Sequence, residues 1–412
     1  MNFSILRGSS EIGGSCVKIT SGTTAIIIDI GMPLYGPDKE PFDKRQLSTA
    51  LPKEPGLYAA PLVSVILVSH AHSDHYGLLA LSNGDIPVYS SKGTRDLIAL
   101  SQMLDHVKTD MKRFNVIEDK KTFTIGNFEI TPYTVDHSAF DAMAFLIKAD
   151  GKAIFYSGDF RASGNKGALF QKFCRTYQEP TDILLLEGTL ISGQERENVT
   201  EKECMEEIAR ELGKEHSGYT FIAYASQNID RFVSIFKACR KTGKTIVIDP
   251  YVAAVLDKTP VSVPKFNWGK NIKVYFAPNA HTNAIAKTGQ LFKYKTAKVT
   301  YDEIKASPEK YVITDRYAIR NKFQPLLKKP KLIWSIWSGY LKQSSSFWEG
   351  CGAKVIHIHS SGHADVRTLR QLVEAVKPGV IVPIHTQNPE LYRTAFPGWK
   401  VLISKDGSTG SP

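Results

Sequence analysis

The chain has 412 residues, 42% of them hydrophobic and 23% charged, and its 52 Lys and Arg against 41 Asp and Glu leave a formal net charge of +11. That composition excludes a disordered chain and is enough for more than one core, while the positive excess points to an anionic partner, nucleic acid ahead of an acidic membrane surface, without bearing on the fold. The opening "MNFSILRGSSEIGG" carries no basic stretch leading into a long apolar run, no segment approaches the ~20 apolar residues of a membrane span, and five scattered cysteines without a close pair suit a reducing compartment; a soluble cytoplasmic protein with no membrane partner and no cysteine metal site is expected.

In chain order, short β-like runs bounded by turns come first: "SCVKIT" (15–20), "TTAIIIDIG" (23–31), "VSVILVSH" (63–70), "PVYSS" (87–91), "KTFTIGNFEITPYTVDH" (121–137), "MAFLIKADGKAIFYSGD" (143–159) and "DILLLEG" (182–188). Helical patterns fall between them, notably "SKGTRDLIALSQMLDH" (91–106), so packed sheets flanked by helices are predicted. From about residue 190 the texture changes. "EKECMEEIARELGK" (201–214) reads as a polar-faced helix, and residues 219–249 as strand, helix and strand of a parallel unit, which marks a second domain. "KVIHIHSSGHADVRTLRQLVEAVKPGVIVPIHTQ" (354–387) then gives strand, polar loop, helix and strand. The stretches 1–190, 191–352 and 353–412 follow as the organisation.

The densest chemistry lies in "VSHAHSDHYG" (68–77), where His70, His72, Asp74 and His75 crowd the tip of a buried strand. Neutral imidazoles and carboxylates are the preferred ligands of Zn²⁺ and similar cations. In extended backbone His70 and His72 face the same way, and the following turn swings Asp74 and His75 towards a second ion. The alternative, a solvated loop, accounts for one histidine but poorly for four such groups at this spacing. Two ions need more ligands, and His137 and Asp159 stand at other strand ends, where a carboxylate with two oxygens can bridge ions ~3.5–4 Å apart.

Together "DIG" around Asp29, "SHAHSDH", "DHS" around His137 and "SGDFR" around Asp159 resemble the metal-site signature of the metallo-β-lactamase superfamily. The resemblance implies an α/β fold, an αββα sandwich with metals at one sheet edge and Asp29 as a structural residue behind the ligands. "LLLEGT" with Glu187, "HSSGHA" with His363 and "VPIHTQ" with His385 are similar to the extra motifs of the β-CASP nucleases, the second most of all to ribonuclease J. Residues 191–352 would then be a β-CASP α/β domain inserted into a sandwich formed by 1–190 and 353–412. Three features depart from ribonuclease J. The chain ends soon after "LISKDG", where that family continues into a dimerisation domain, which leaves a homodimer open; Thr386 and Gln387 replace a common Gly-Glu; and Gln227 stands where a serine is expected.

Carried over residue by residue, the resemblance implies that His70, His72 and His137 hold one metal, Asp74, His75 and His385 the other, and Asp159 both. The cofactor would be two Zn²⁺, with Mn²⁺ an alternative these ligands do not distinguish. Asp74 and Asp159 would serve a bridging hydroxide that attacks phosphorus, His363 would give a proton to the leaving oxygen, and Glu187 would orient it. His359, Ser361, Gly362, Asn228 and Arg231 would meet the substrate. His385 in the third extra motif resembles the RNA-processing branch, so the expected activity is hydrolysis of single-stranded RNA, 5′-to-3′ exonucleolytic, endonucleolytic or both. The basic charge supports a nucleic-acid partner: residues 237–298 hold twelve Lys and Arg against two Asp, with Tyr251, Phe266, Trp268, Tyr275 and Phe276 available for stacking. Three readings stay beside this one: a single-stranded DNA nuclease, a small-molecule hydrolase of the wider superfamily, and a non-catalytic RNA-binding subunit.

Overall fold

Apolar alternation along the early strands decides which faces meet. The computed structural model describes residues 1–36, 40–59, 63–192, 198–265 and 271–412; Phe266, Trp268 and Lys270, counted above, lie outside them. Among the described residues one sheet contains β1 (Asn2–Arg7), β2 (Cys16–Ser21), β3 (Thr24–Ile28), β4 (Val65–Leu67), β5 (Val88–Ser90) and β6 (Phe114–Val116). A second contains β7 (Phe123–Ile125), β8 (Phe128–Thr134), β9 (Met143–Ala149), β10 (Lys152–Tyr156) and β11 (Ile183–Glu187). The third is made of β12 (Thr220–Ala223), β13 (Thr245–Ile248), β14 (Ile272–Tyr275), β15 (Lys298–Val299), β16 (Tyr311–Thr314), β17 (Lys331–Trp334) and β18 (Lys354–His357). The chain then returns: β19 (Val380–Ile384) pairs parallel with β11, and β20 (Thr409–Gly410) antiparallel with β1.

Two compact units result, one of Met1–Ala162, Lys166–Asn198 and Gly362–Pro412, the other of Ser163–Asn165 and Val199–Ser361. The second crossing falls at Ser361, where the sequence placed it at 352, because β18 pairs with β17 in the parallel sheet of the second unit (Lys331 opposite Lys354, Trp334 opposite His357).

The first unit is an αββα sandwich. Alternate residues of β1 to β4 (Phe3, Ile5, Val17, Ile19, Ile26, Ile28, Leu67) meet alternate residues of β8 to β11 (Phe128, Ile130, Phe145, Ile147, Ile154, Leu185) in one buried cluster, the period-2 arrangement of two sheets packed face to face. The opposite parity of the second sheet (Leu146, Phe155, Leu184, Leu186) is covered by helices Gly167–Thr176 and Val366–Val376. Asp150 and Gly151, both at positive φ, close the β9–β10 hairpin as the "DG" pair requires. Every strand that serves the site ends at the same rim: β3, β4, β8, β10, β11 and β19 lead directly into Asp29, His70, His137, Asp159, Glu187 and His385 or a residue within three of them.

The second unit is a seven-stranded parallel sheet in the order β15-β14-β13-β16-β12-β17-β18. Phe221, Ala223, Val247, Ile313, Leu332 and Trp334 pack beneath helices Tyr301–Ala306, Tyr317–Phe323 and Ser345–Gly350, while Ile222, Ile246, Ile248, Val274 and Ile333, of the other parity, are buried as well. A sheet buried on both faces is what near-continuous apolar strands encode.

Phe145 is fully buried in the core between the two sheets of the first unit. Phe145→Ala is expected to cost about 3–5 kcal/mol by transfer and cavity terms, read as a fall in the denaturant midpoint of the full chain. Val261→Ala, at an 84% exposed position, should stay within about 0.5 kcal/mol of the parent.

Candidate metal centre

The loop after β4 is built so that its backbone cannot wander. Ser15, Ile30 and Met32 donate their N–H groups to the carbonyls of Asp74, His75 and Ser73, and Gly31 lies so close to the Asp74 carbonyl that any β-carbon would collide with it. The glycine of "DIG" is therefore a close-approach residue. Asp29 itself sits in the left-handed region at φ 59°, a conformation that only a well-determined surrounding sustains. That surrounding is four donors on one buried carboxylate: Ser69 N–H at 2.8 Å, Ser69 Oγ at 2.8 Å, Tyr156 Oη at 2.7 Å and His75 Nδ1 at 2.7 Å.

Four of the imidazoles are each tied on one nitrogen and aimed with the other. His70 Nδ1 is 3.0 Å from Ser69 Oγ, His75 Nδ1 is held by Asp29, His385 Nδ1 is 2.8 Å from Thr189 Oγ1, and His137 Nδ1 donates to the Gly362 carbonyl at 2.5 Å. The free nitrogens converge. His75 Nε2 and His70 Nε2 lie 3.1 and 3.7 Å from Asp159 Oδ2, His385 Nε2 lies 3.4 Å from Asp74 Oδ2, and His137 Nε2 lies 3.1 Å from His72 Nδ1. His385, like Asp29, has a left-handed backbone, φ 50°, and donates its N–H to the Gly8 carbonyl.

Among the described residues the ligand atoms fall into overlapping sets, each within 4.8 Å: His70, His72 and His137; His70, His75 and Asp159; Asp74, His75 and His385; and Asp159, Glu187, His363 and His385. The set fits a metal on two grounds. His70 Nε2, His75 Nε2 and both Asp159 oxygens are buried with no hydrogen-bond partner among the described residues, a costly arrangement for a protein that leaves them so, and oriented imidazoles with outward partners are the usual dress of metal ligands.

The electrostatics agree. Burial, helped by neighbouring imidazoles, holds His70 and His137 well below the usual histidine range, and burial takes His72 down to about 4 against the pull of Asp74 and Asp159, so these three present lone pairs. Burial would raise Asp159, but the imidazoles of His385 and His75 outweigh it and keep the carboxyl well below its ordinary value. For Asp74, burial is overcome by the His385 hydrogen bond and the charge of His75, with the same outcome. Against burial, Asp159 and Asp29 hold His75 well above the usual range, and Glu187 and Asp159 lift His363 to about 9. The carboxylates thus draw protons onto two histidines, and a bound cation would supply that charge instead.

His363 is half-buried with Nδ1 3.4 Å from Glu187 Oε2 and 3.7 Å from Asp159 Oδ2. Glu187 is fully buried, accepting from the N–H groups of Phe160, Thr189 and Ala364. Gly362 lies against Ser138, whose Oγ a β-carbon would strike, and gives its carbonyl to His137.

The remaining expected residues belong to the second unit. Asn228 caps helix Ile229–Lys241 by accepting from the Arg231 N–H at 2.9 Å. Arg231 is wholly buried; its guanidinium pairs with Glu201 at 3.0 Å and donates to the carbonyls of Ser335 and Ser360, to Ser335 Oγ, and towards His359 Nδ1. All five of its N–H groups are engaged, so it holds the 359–360 loop rather than facing solvent. His359 is exposed and Ser361 half-buried. Tyr251 is half-buried against His281 and Gln227, and Tyr275 is core.

Sequence reasoning missed Ser69, Tyr156, Thr189 and the buried pair Asp136–Arg161 at 3.5 Å. Ser69 and Thr189 stood beside quoted motif residues, Asp136 and Arg161 inside "DHS" and "SGDFR"; Tyr156 carried no signal beyond its inward parity on β10.

Residues 36–220 match the family described as the β-lactamase superfamily domain, and residues 352–396 match the Zn-dependent metallo-hydrolase RNA specificity domain. Transcription termination factor FttA of Methanothermobacter thermautotrophicus is 25% identical over 65% of this chain, and ribonuclease J of Sinorhizobium meliloti 22% identical over 89%. The chain spans 42% and 64% of those two proteins. An RNase J-like protein of Methanocaldococcus jannaschii is 23% identical over 96% of this chain and 94% of its own length. A crystal structure of a protein of unknown function from Enterococcus faecalis V583 shares the fold over 99% of both chains, with a TM-score of 0.80 at 21% identity. With the sandwich and the rim of histidines and carboxylates, the chain carries a β-lactamase superfamily domain together with a metallo-hydrolase RNA specificity domain, and it is similar to the ribonuclease J proteins over most of its length.

Proposed function

We propose that the protein is a zinc-dependent ribonuclease that hydrolyses phosphodiester bonds of single-stranded RNA. The observation that carries the reading is the convergence of five imidazoles and two carboxylates, several with orphaned buried atoms, on a chain that matches an RNA specificity domain. Five histidines and two aspartates are enough to hold two ions: His70, His72 and His137 for one, Asp74, His75 and His385 for the other, and Asp159 for both. When bound, two zinc ions supply Lewis acidity that eases ionisation of water and neutralises charge on the phosphoryl oxygens.

The chain's own groups do the rest. Asp29, Ser69, Thr189 and the Gly362 carbonyl fix the ring directions, so nothing must reorganise as charge develops. Water attacks phosphorus and releases a proton to solvent, the P–O3′ bond breaks, and His363 gives the departing O3′ a proton, leaving a 5′-phosphate and a 3′-hydroxyl. Glu187, beside His363 Nδ1, orients that ring and keeps it charged. In the second unit, the β-CASP domain of this reading, Asn228 at its helix cap and the loop with His359 and Ser361, which Arg231 holds from behind, meet the substrate. Hydrolysis from a 5′ end, internally, or both is consistent with these groups.

Purified protein is expected to contain about two zinc ions per chain by elemental analysis, and Asp74→Ala to lose cleavage of 5′-labelled RNA with its circular dichroism unchanged; full activity in that variant would overturn the assignment. His363→Ala should lower kcat by about 10²–10⁴-fold while zinc content stays at the parental value, as measured by single-turnover kinetics. Asp29→Ala should weaken zinc binding by about 10–100-fold, measured by competition with a chromogenic chelator. Matched RNA and DNA oligonucleotides test the polymer, since DNA cut as fast as RNA would contradict the reading.

A further inference from the structure

The second unit exposes aromatic rings at one place that the metal centre does not explain. In its sheet, the connections from β12 through β13 and β14 to β15 step one way along the strand order, and those from β16 to β17 to β18 step the other way. Such a reversal marks the carboxyl-terminal edge around β16 and β12 as the crevice where open α/β sheets bind ligands. Three large side chains stand exposed on the segments that leave this edge: Tyr317, three residues after β16, at 74%, and Trp337 and Tyr340, after β17, at 50% and 42%. β16 and β17 flank β12, so their ends are about 10 Å apart.

These rings are held rather than loose. Trp337 meets Tyr340 edge to face at 5.3 Å, Gly339 leaves room for the indole that any side chain there would strike, and Trp334 Nε1 donates to the Trp337 carbonyl at 3.3 Å. The Arg320 guanidinium lies 5.8 Å from the Tyr317 ring and 5.3 Å from that of Phe347, and is itself fixed by Asp315 at 3.2 Å. The charge around them is one-sided: residues 311–343 hold seven Lys and Arg against one Asp, a net +6, and Lys342 is exposed two residues beyond Tyr340. Exposed apolar rings in a positive field fit a partner with π-faces and negative charge, which a protein surface rarely combines and a single-stranded nucleic acid always does.

We propose that Tyr317, Trp337 and Tyr340 form a stacking platform for the bases of single-stranded RNA, with Lys342 and the surrounding positive charge taking the phosphates; that the strand is RNA rests on the ribonuclease reading. The platform contributes affinity without sequence choice, and the rings take no part in bond breaking.

The test uses the full chain. Binding of a fluorescein-labelled ten-residue oligouridylate is measured by anisotropy after metal is removed with chelator, so that no cleavage intervenes. Trp337→Ala combined with Tyr340→Ala should weaken binding about tenfold or more, Trp337→Phe should keep most of the affinity, and the zinc-loaded double variant should hydrolyse bis(p-nitrophenyl) phosphate at the parental rate. Affinity within twofold of the parent would overturn the platform, and a concurrent fall in solution mass would reassign the face to a contact between copies of the chain. Should the parent hydrolyse neither RNA nor the small diester while the double variant still loses oligonucleotide binding, the ribonuclease reading fails and the platform stands.

Discussion

The carboxylate of Asp29 is the constraint on which the first unit's chemistry depends. A buried charge survives only if its oxygens are met, and here the donors come from both sheets: Ser69 and His75 from the loop after β4, Tyr156 from the end of β10. One anion therefore registers the two layers against each other and sets the ring of His75 in the same act. Ser69 passes the constraint on, since its hydroxyl donates to Asp29 while standing 3.0 Å from His70 Nδ1. The strained φ of Asp29 is the local cost of this arrangement.

Around that anchor the remaining groups follow a division of labour. The histidines on one side are kept neutral mainly by burial, whereas the carboxylates on the other stay ionised despite it. Such a juxtaposition is unstable as an apolar core and suited to a divalent cation, whose ligands must be deprotonated. His363 differs in kind, since it stands between Glu187 and Asp159 and is partly open, which suits a group that exchanges a proton with a substrate rather than one that holds an ion.

Much of this was legible in the sequence. The cluster of histidines and carboxylates could be read because its members follow apolar strands and four of them share one loop, "SHAHSDH"; packed sheets flanked by helices could be read from the β-like runs, and the αββα order only through the family resemblance. The partners behind the ligands could not. Ser69, Thr189 and Tyr156 are common residue types whose role exists only because strands distant in sequence end at the same rim. Arg231 shows the opposite failure. Beside Asn228 it reads, through the family resemblance, as a residue that meets the substrate, yet the fold surrounds it with Glu201, Ser335 and Ser360, contacts that no local pattern announces. The position of β18 was also hidden, because "KVIH" is an equally good strand for either sheet until its neighbour β17 is known.

The pairing of β11 with β19 has a consequence for how the molecule is made. Thr189 and His385 are 196 positions apart, so at about 5–20 residues per second the ribosome spends on the order of ten seconds or more between them. Until that interval closes the nascent first unit lacks the edge strand β19 of its second sheet and His385, while the strands of the intervening parallel sheet, β12 to β18, are all made within it. The rim of histidines and carboxylates is therefore completed only after the strands of the second unit have been made, so the order of synthesis separates the folding of that sheet from completion of the site in the first unit.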